Sequence, residues 1–393
     1  MINQIDLKLL LFILWMTSNV SAFYKVPNHS PFNWISRIVI PTTNEELTNV
    51  LCSTYDSSGY CTDSETKIII LTKIFDFTKS EGSITEEGCY HLSTPECLAR
   101  GQKKLNVNNQ CSGLKKVTIT YDKAGIKPLN VGSNKYVISR NGGLRGKGLK
   151  ICKSQNVFIN GLSITDINAG LIWGGDALSL DGATNVWIHG NYFSRIGRQM
   201  IVSHYNPSQN ITISYNEFDG RTPYSAYCDG LHYWLWLFEG AGDTITLYNN
   251  FVHHTAGRGG HVTGLPNSKV LLHVIKNKFS DVQHAGLIEA YDPTARILIE
   301  GNLYNNVSYI VSKNGGHIYY PFTKNDAATC KQYIGRECYM NGVIKSGGLD
   351  FKSDVSVLKE LSSYSLINTD HIDKFELLCR KFKIKKSNSK AQG

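Results

Sequence analysis

The sequence predicts an all-β, single-domain, right-handed parallel β-helix, and three observations carry that expectation. From about residue 156 onward, short segments rich in Val, Ile, Leu, Phe and Tyr return roughly every 25 to 35 residues, separated by Gly, Asn and Asp clusters. Each return carries an Asn at a fixed offset: Ile188 to Asn191 to Phe193, Ile213 to Asn216 to Phe218, Leu247 to Asn250 to Val252, Val274 to Asn277 to Phe279, and Ile299 to Asn302 to Tyr304. The composition, with 35 Gly and only 19% charged residues among 393, suits many tight turns and excludes a disordered, collagen-like or coiled-coil chain.

One such strand per turn, stacked on the next, buries a continuous core that no single repeat could bury alone. An Asn at the same corner of each rung can adopt the tight-turn conformation and hydrogen-bond to its equivalents above and below. A β-sandwich or propeller also repeats its strands, but with hairpin punctuation at shorter spacing.

The elements follow in order. Residues 1–22 place Lys8 ahead of the apolar run Leu9 to Met16 and end in Val20-Ser21-Ala22, which reads as a secretory signal peptide. The run is shorter than the roughly 20 residues that span a bilayer. Residues 23–375 are expected to form the β-helix domain. Its first part, to about residue 155, shows few rungs and reads as initial turns plus a long cross-linked loop around Cys89 and Cys111. The repeat fades after about residue 310, and the pattern over 355–380 is compatible with helix. Residues 376–393 form a basic tail, with Arg380, Lys381, Lys383, Lys385 and Lys386 close together.

A net charge of +9 favours acidic partners: nucleic acid, anionic lipid or an acidic polysaccharide. Ten cysteines in a secreted chain point to disulfides rather than metal ligation. Sequons at Asn28, Asn210 and Asn306 permit glycosylation.

Three charges interrupt otherwise apolar rungs: Asp176 in Trp173-Gly174-Gly175-Asp176, Arg198 in Arg195-Ile196-Gly197-Arg198-Gln199, and Arg258 in Gly257-Arg258-Gly259-Gly260. Stacking brings successive rungs together, so an Asp and two Arg can converge on one groove. An Asp–Arg pair serves equally well as a structural ion pair.

These residues sit in longer phrases. Phe75-Asp76-Phe77-Thr78, Val117-Thr118-Ile119-Thr120-Tyr121-Asp122-Lys123-Ala124-Gly125, Gly146-Lys147-Gly148-Leu149, Thr165-Asp166-Ile167-Asn168, Trp173 to Ala177, Arg195 to Gln199, and Asp219-Gly220-Arg221 through His232-Tyr233-Trp234 occur in the order seen in fungal pectin lyases. Over roughly residues 70–340 the chain resembles the pectin lyase branch of the pectate lyase superfamily, polysaccharide lyase family 1. The resemblance implies a β-helix with a cleft along one side and a secreted, monomeric lyase of methyl-esterified polygalacturonate, with no bound metal or cofactor and no nucleic-acid or membrane partner. It makes Arg258 the general base, with Arg198 and Asp176 beside it. Trp173, Trp234, His232, Arg195 and His261 are the expected substrate contacts, and Trp236 a further aromatic. It also implies disulfides Cys89–Cys111, Cys97–Cys228 and Cys330–Cys338. Cys52, Cys61, Cys152 and Cys379 have no counterpart, which leaves Cys52–Cys61 and Cys152–Cys379.

β-Elimination removes the proton on C5, α to the C6 carbonyl, while the bond from C4 to O4 breaks. A methyl ester acidifies that proton more than a carboxylate does, so fixed positive charge can stabilise the enolate. A lyase for the free acid must first neutralise the carboxylate, usually with Ca²⁺. By the resemblance, Arg198 stands where calcium-dependent relatives carry an acidic ligand. Arginine is a poor base at a pKa above about 12. Like charge from Arg198 and desolvation are expected to lower it at Arg258.

Gly260 and His261 replace the Pro and Lys that usually follow the arginine, and Leu92 and Gln110 stand where tryptophans are expected. The less aromatic cleft points to lower esterification of the substrate. Gly142 to Gly148 lacks the spacing of a phosphate-binding loop and reads as a turn. His253 and His254 should point to opposite faces of a strand, against a metal site. A calcium-dependent pectate lyase is the nearest rival reading. A pectin-binding β-helix without turnover is a second, and a hydrolase lacks the Asp-Asp pair it would need.

Overall fold

The computed structural model describes residues 37–364 apart from positions 140, 314 and 350, together with 370, 372–374, 376 and 377. Within them the chain winds through three parallel sheets of ten, nine and eight strands. One rung shows the path: Thr184–His189 in the first sheet, Tyr192–Ile196 in the second, Ile201–Ser203 in the third, then Gln209–Ser214 back in the first. This is the expected parallel β-helix.

Period-two alternation sends every second side chain inward. In the first sheet Val186, Ile211, Ile245, Leu272 and Ile297 stack in register, and all are buried in the main core. The second sheet stacks Ile164, Phe193, Phe218, Val252, Phe279 and Tyr304. Phe193 lies on Phe218 with ring centroids 4.9 Å apart. Each such side chain contributes about 1.5–3 kcal/mol on leaving water.

The Asn repeat forms the ladder that the spacing suggests. The Asn191 amide donates to Asn216 Oδ1 (2.9 Å), Asn216 to Asn250 (3.0 Å), Asn250 to Asn277 (2.9 Å), Asn277 to Asn302 (3.0 Å) and Asn302 to Asn341 (3.1 Å). Each amide also donates to a strand carbonyl of the preceding rung, as Asn250 does to Ile213 O at 2.9 Å. The left-handed conformation falls one residue earlier than expected, on Gly190, Tyr215, Asn249, Lys276 and Gly301. That residue makes the corner, which frees the Asn to turn its amide along the stack.

The early region is more ordered than a loop. Ser83–Tyr90 pairs antiparallel with Lys116–Asp122 and with Lys103–Leu105, and Lys103–Leu105 pairs parallel with Leu171–Ile172 of the coil. The disulfides Cys52–Cys61, Cys89–Cys111, Cys97–Cys228 and Cys330–Cys338 are formed. Cys97–Cys228 ties this region to the loop that precedes Trp234. Cys379 lies outside the described residues. Cys152 is buried and makes no disulfide among the described residues, its thiol 3.5 Å from Asp181 Oδ2, and burial pushes its pKa up to about 11.

The signal segment, Asn28 and most of the basic tail also lie outside the described residues. Glu376, at the expected start of the tail, is instead packed on the first sheet beside His189, at 3.3 Å. No described helix is long and apolar enough to cross a membrane.

Candidate active-site cleft

The third sheet provides the floor. Its outward column runs in register through Ser179, Val202, Leu237, His261, Glu289 and Ser312. The turns that enter this sheet provide one wall. Asp176, Arg198 and Arg258 each stand one to three residues before a third-sheet strand, Leu178–Asp181, Ile201–Ser203 and Gly259–Val262 respectively. Equivalent corners of stacked rungs therefore bring the three expected residues to one edge.

Asp176 is half-buried and accepts the Gln199 backbone N–H at 2.8 Å. Burial raises its pKa above the usual carboxylate value, against the pull of Arg198 and the Gln199 N–H. The Arg198 guanidinium lies over the Trp173 ring, 3.7 Å from its centroid. Burial lowers the Arg198 pKa, opposed by Asp176, Glu239 and Tyr205 and reinforced by Arg258. Desolvation and the like charge of Arg258 thus act together on Arg198. Glu239, just past the strand Trp236–Phe238, pairs with His204 at 3.6 Å.

Arg258 occupies a left-handed position, φ +48°, between Gly257 at +121° and Gly259. A Cβ at Gly259 would come within 2.2 Å of the Leu287 side-chain tip, so any larger residue there would have to displace that core leucine. The Arg258 guanidinium faces Tyr233 and Trp234, 5.2 and 5.5 Å from the ring centroids, and its Nε is 3.4 Å from Glu289 Oε2.

Pairing then slips by one residue, with Trp236 opposite Gly259 and Leu237 opposite His261. Gly260, φ +138°, is the extra residue of this bulge. The slip sets His261 on the floor opposite Glu289. His261 Nδ1 bonds to the same Glu289 Oε2, and its ring tilts against Tyr291 at 4.6 Å. The two departures from the usual sequence, Gly260 and His261, are therefore one structural change.

Other expected contacts lie elsewhere. Trp236 is 0% exposed and packs edge-on against Phe218 in the core, because strand alternation points it away from the floor. His232 is 1% exposed; its Nε2 bonds to the Trp234 carbonyl at 2.9 Å, and burial drives its pKa down to about 4, so it is neutral. It braces the wall from behind. Arg195 belongs to the second sheet and makes a two-pronged ion pair with Asp166, 2.6 and 2.9 Å, in line with Asp76 and Arg145. Trp173 and Trp234 do border the cleft. Trp173 donates to Gln110 Oε1 at 3.1 Å, a residue standing where a tryptophan was expected.

Sequence reasoning missed Gln102, Glu239 and Glu289. Gln102 is 1% exposed, donates to Ala169 O (2.9 Å) and Gly197 O (2.8 Å), and accepts from Trp234 Nε1 (3.0 Å). It fixes the corner that holds Arg198 to the wall that holds Trp234. Nothing in the local sequence marks it; Glu289 is visible only as a charge inside an apolar strand.

His253 and His254 do not diverge, because His254 takes φ +54° within its strand, and their Nδ1 atoms are 2.9 Å apart. Among the described residues no group of three or more His, Cys, Asp or Glu side chains is placed to hold a metal ion.

No family model matches the chain. Pectin lyase B of Emericella nidulans is 37% identical over 320 residues, covering 79% of each chain. The chain belongs to the pectin lyase family. Probable pectin lyase F-2 of Aspergillus terreus is 38% identical over 299 residues, which are 75% of this chain and 61% of that relative's length. A solved pectate lyase shares the fold at TM-score 0.50 and 14% identity, covering 87% of this chain and 91% of its own. Within this family of polysaccharide lyases, the present chain carries the Gly260 bulge and the His261–Glu289 pair on its cleft floor.

Proposed function

We propose that this chain is a secreted pectin lyase that cleaves methyl-esterified polygalacturonate by β-elimination, releasing 4,5-unsaturated products without a metal ion. The observation that carries the reading is the convergence of Arg198, stacked on Trp173 and within electrostatic reach of Asp176, with Arg258 at one edge of the third sheet. Two guanidinium groups within electrostatic reach of each other suit a substrate whose C6 carbonyl becomes an enolate. Asp176 orients the Gln199 N–H and offsets part of the charge on Arg198. Trp173 and Trp234 offer faces on which sugar rings can stack. A net charge of +9 favours approach of an acidic polysaccharide.

Arg258 is the residue that the resemblance makes the general base, and its position facing Tyr233 and Trp234 supports a part in stabilising the developing charge. Incubation of the purified enzyme with highly and weakly esterified pectin, with and without EDTA, tests the reading by ultraviolet absorbance of the unsaturated product. Rapid EDTA-insensitive product from the esterified substrate is expected, with near-total loss in Arg258→Ala. Activity abolished by EDTA would assign the calcium-dependent class instead. Binding to pectin with no absorbance change would assign a silent binding protein.

A further inference from the structure

We propose that Tyr205 and Tyr291, on the edge of the third sheet opposite the arginines, are stacking platforms for sugar rings of the substrate, each held in place by a histidine and a glutamate of the floor. The inference rests on the lyase reading above and deepens it, because it assigns apolar contacts for the same polysaccharide.

The wall on the arginine side keeps Trp173 and Trp234 but has Leu92 and Gln110 where further tryptophans are expected. The far edge carries aromatic rings instead. Tyr205 comes two residues after the strand Ile201–Ser203, and Tyr291 immediately follows Ile288–Ala290. A single exposed tyrosine needs no explanation. These two share one set of supports. Tyr205 stacks on His204, with 5.0 Å between ring centroids and 24° between planes, and His204 Nδ1 is 3.6 Å from Glu239 Oε1. Tyr291 lies against His261 at 4.6 Å and 48°, and His261 Nδ1 bonds to Glu289 Oε2. Each set runs glutamate, histidine, tyrosine, and each meets one arginine. Glu239 and Tyr205 are within electrostatic reach of Arg198, and Glu289 Oε2 is 3.4 Å from Arg258 Nε.

A platform for a pyranose needs a flat apolar face that is open on one side and fixed on the other. Tyr205 is 60% exposed and Tyr291 50%, so each ring has a histidine on one side and solvent on the other. A tyrosine has two side-chain torsions to fix, and a ring already held by its neighbour loses little further freedom when a sugar covers it. The face of a sugar that carries its C–H groups packs on such a ring while the hydroxyls stay at the rim. A free carboxylate would have to shed water to lie there, so stacking favours the methyl ester. Three strand spacings separate the two rungs, about 14 Å along the stack. No single sugar ring spans that distance, so the platforms engage different rings of one chain. The rungs of Arg198 and Arg258 fall within the same span.

The test combines two measurements on the full chain: retardation in a native gel containing highly esterified pectin, which reads binding alone, and kcat and KM from the ultraviolet absorbance of the unsaturated product. Tyr205→Ala and Tyr291→Ala should each weaken retardation and raise KM by about 3- to 10-fold, with kcat changing far less. The double variant should multiply the two effects, because the sites are too far apart to couple. Both rings are exposed, so the urea unfolding midpoints should stay near that of the wild type. Tyr205→Phe and Tyr291→Phe keep the ring and should recover most of the lost affinity. Alanine variants whose retardation and KM both match the wild type overturn the proposal, as does a loss in the phenylalanine variants equal to that in the alanine variants, which would assign the contact to the hydroxyl. A wild-type protein that is retarded but forms no unsaturated product sinks the lyase reading, and the retardation of the variants then decides the platforms by itself. A wild-type protein that pectin does not retard overturns the platforms.

Discussion

Replacing Gln102 by Leu separates the architecture of the cleft from its chemistry. Leu fills nearly the same volume but removes three hydrogen bonds, to Ala169 O, Gly197 O and Trp234 Nε1. Each is worth about 1 kcal/mol net, and a buried carbonyl left without a partner adds about 1–2 kcal/mol more. The Gly197 carbonyl pays that penalty because its bond to Gln102 is buried, whereas the indole N–H, only partly buried, can find water. The expected destabilisation is about 3–5 kcal/mol. Gly197 immediately precedes Arg198, so the guanidinium should also lose its position over Trp173. A displacement of about 1 Å at such a group costs up to about 10²-fold in rate. Urea unfolding and kcat/KM on esterified pectin measure the two effects. Gln102→Glu keeps the acceptor for Trp234 but cannot donate to the two carbonyls, and should behave like the Leu variant. Stability within about 1 kcal/mol of wild type together with unchanged kcat/KM would refute the bracing role.

Other consequences follow from the same contacts. Trp236→Ala should cost about 3–5 kcal/mol by leaving a core cavity, with turnover per folded molecule little changed. Trp234→Ala, at the cleft wall, should instead raise KM with a small effect on unfolding. Asn250→Ala strands the Asn216 N–H and amide, the Ile213 carbonyl and the Asn277 carboxamide in mid-ladder, and should lower stability by about 3–5 kcal/mol in urea. Glu300 is fully buried; burial raises its pKa, but Arg336 and His273 outweigh this and hold it at about 2 against an ordinary 4.5. A depressed carboxyl stabilises the fold above its unfolded pKa, so about 3 kcal/mol should be present above pH 4.5 and lost as pH falls toward about 2. Unfolding midpoints of wild type and Glu300→Gln should therefore converge on acidification.

The sequence by itself determined the coil. Inward apolar columns and the Asn ladder depend on period and offset, and both are written in the order of residues from Ile188 to Tyr304. It also placed Asp176, Arg198 and Arg258 at one edge, because each precedes a strand by nearly the same interval and stacking converts equal offsets into proximity. Trp236, His232 and Arg195 could not be assigned that way. Whether a side chain faces core or cleft depends on strand phase, and a single bulge or left-handed corner reverses it, as at His254. The third sheet shows the limit most clearly. Gly260 and His261 read as the loss of a Pro and a Lys, but the one-residue slip they create turns His261 outward to meet Glu289, 28 residues away. Only the fold decides which groups share a carboxylate oxygen, because contacts between rungs are set by register, and register belongs to the stack rather than to any one strand.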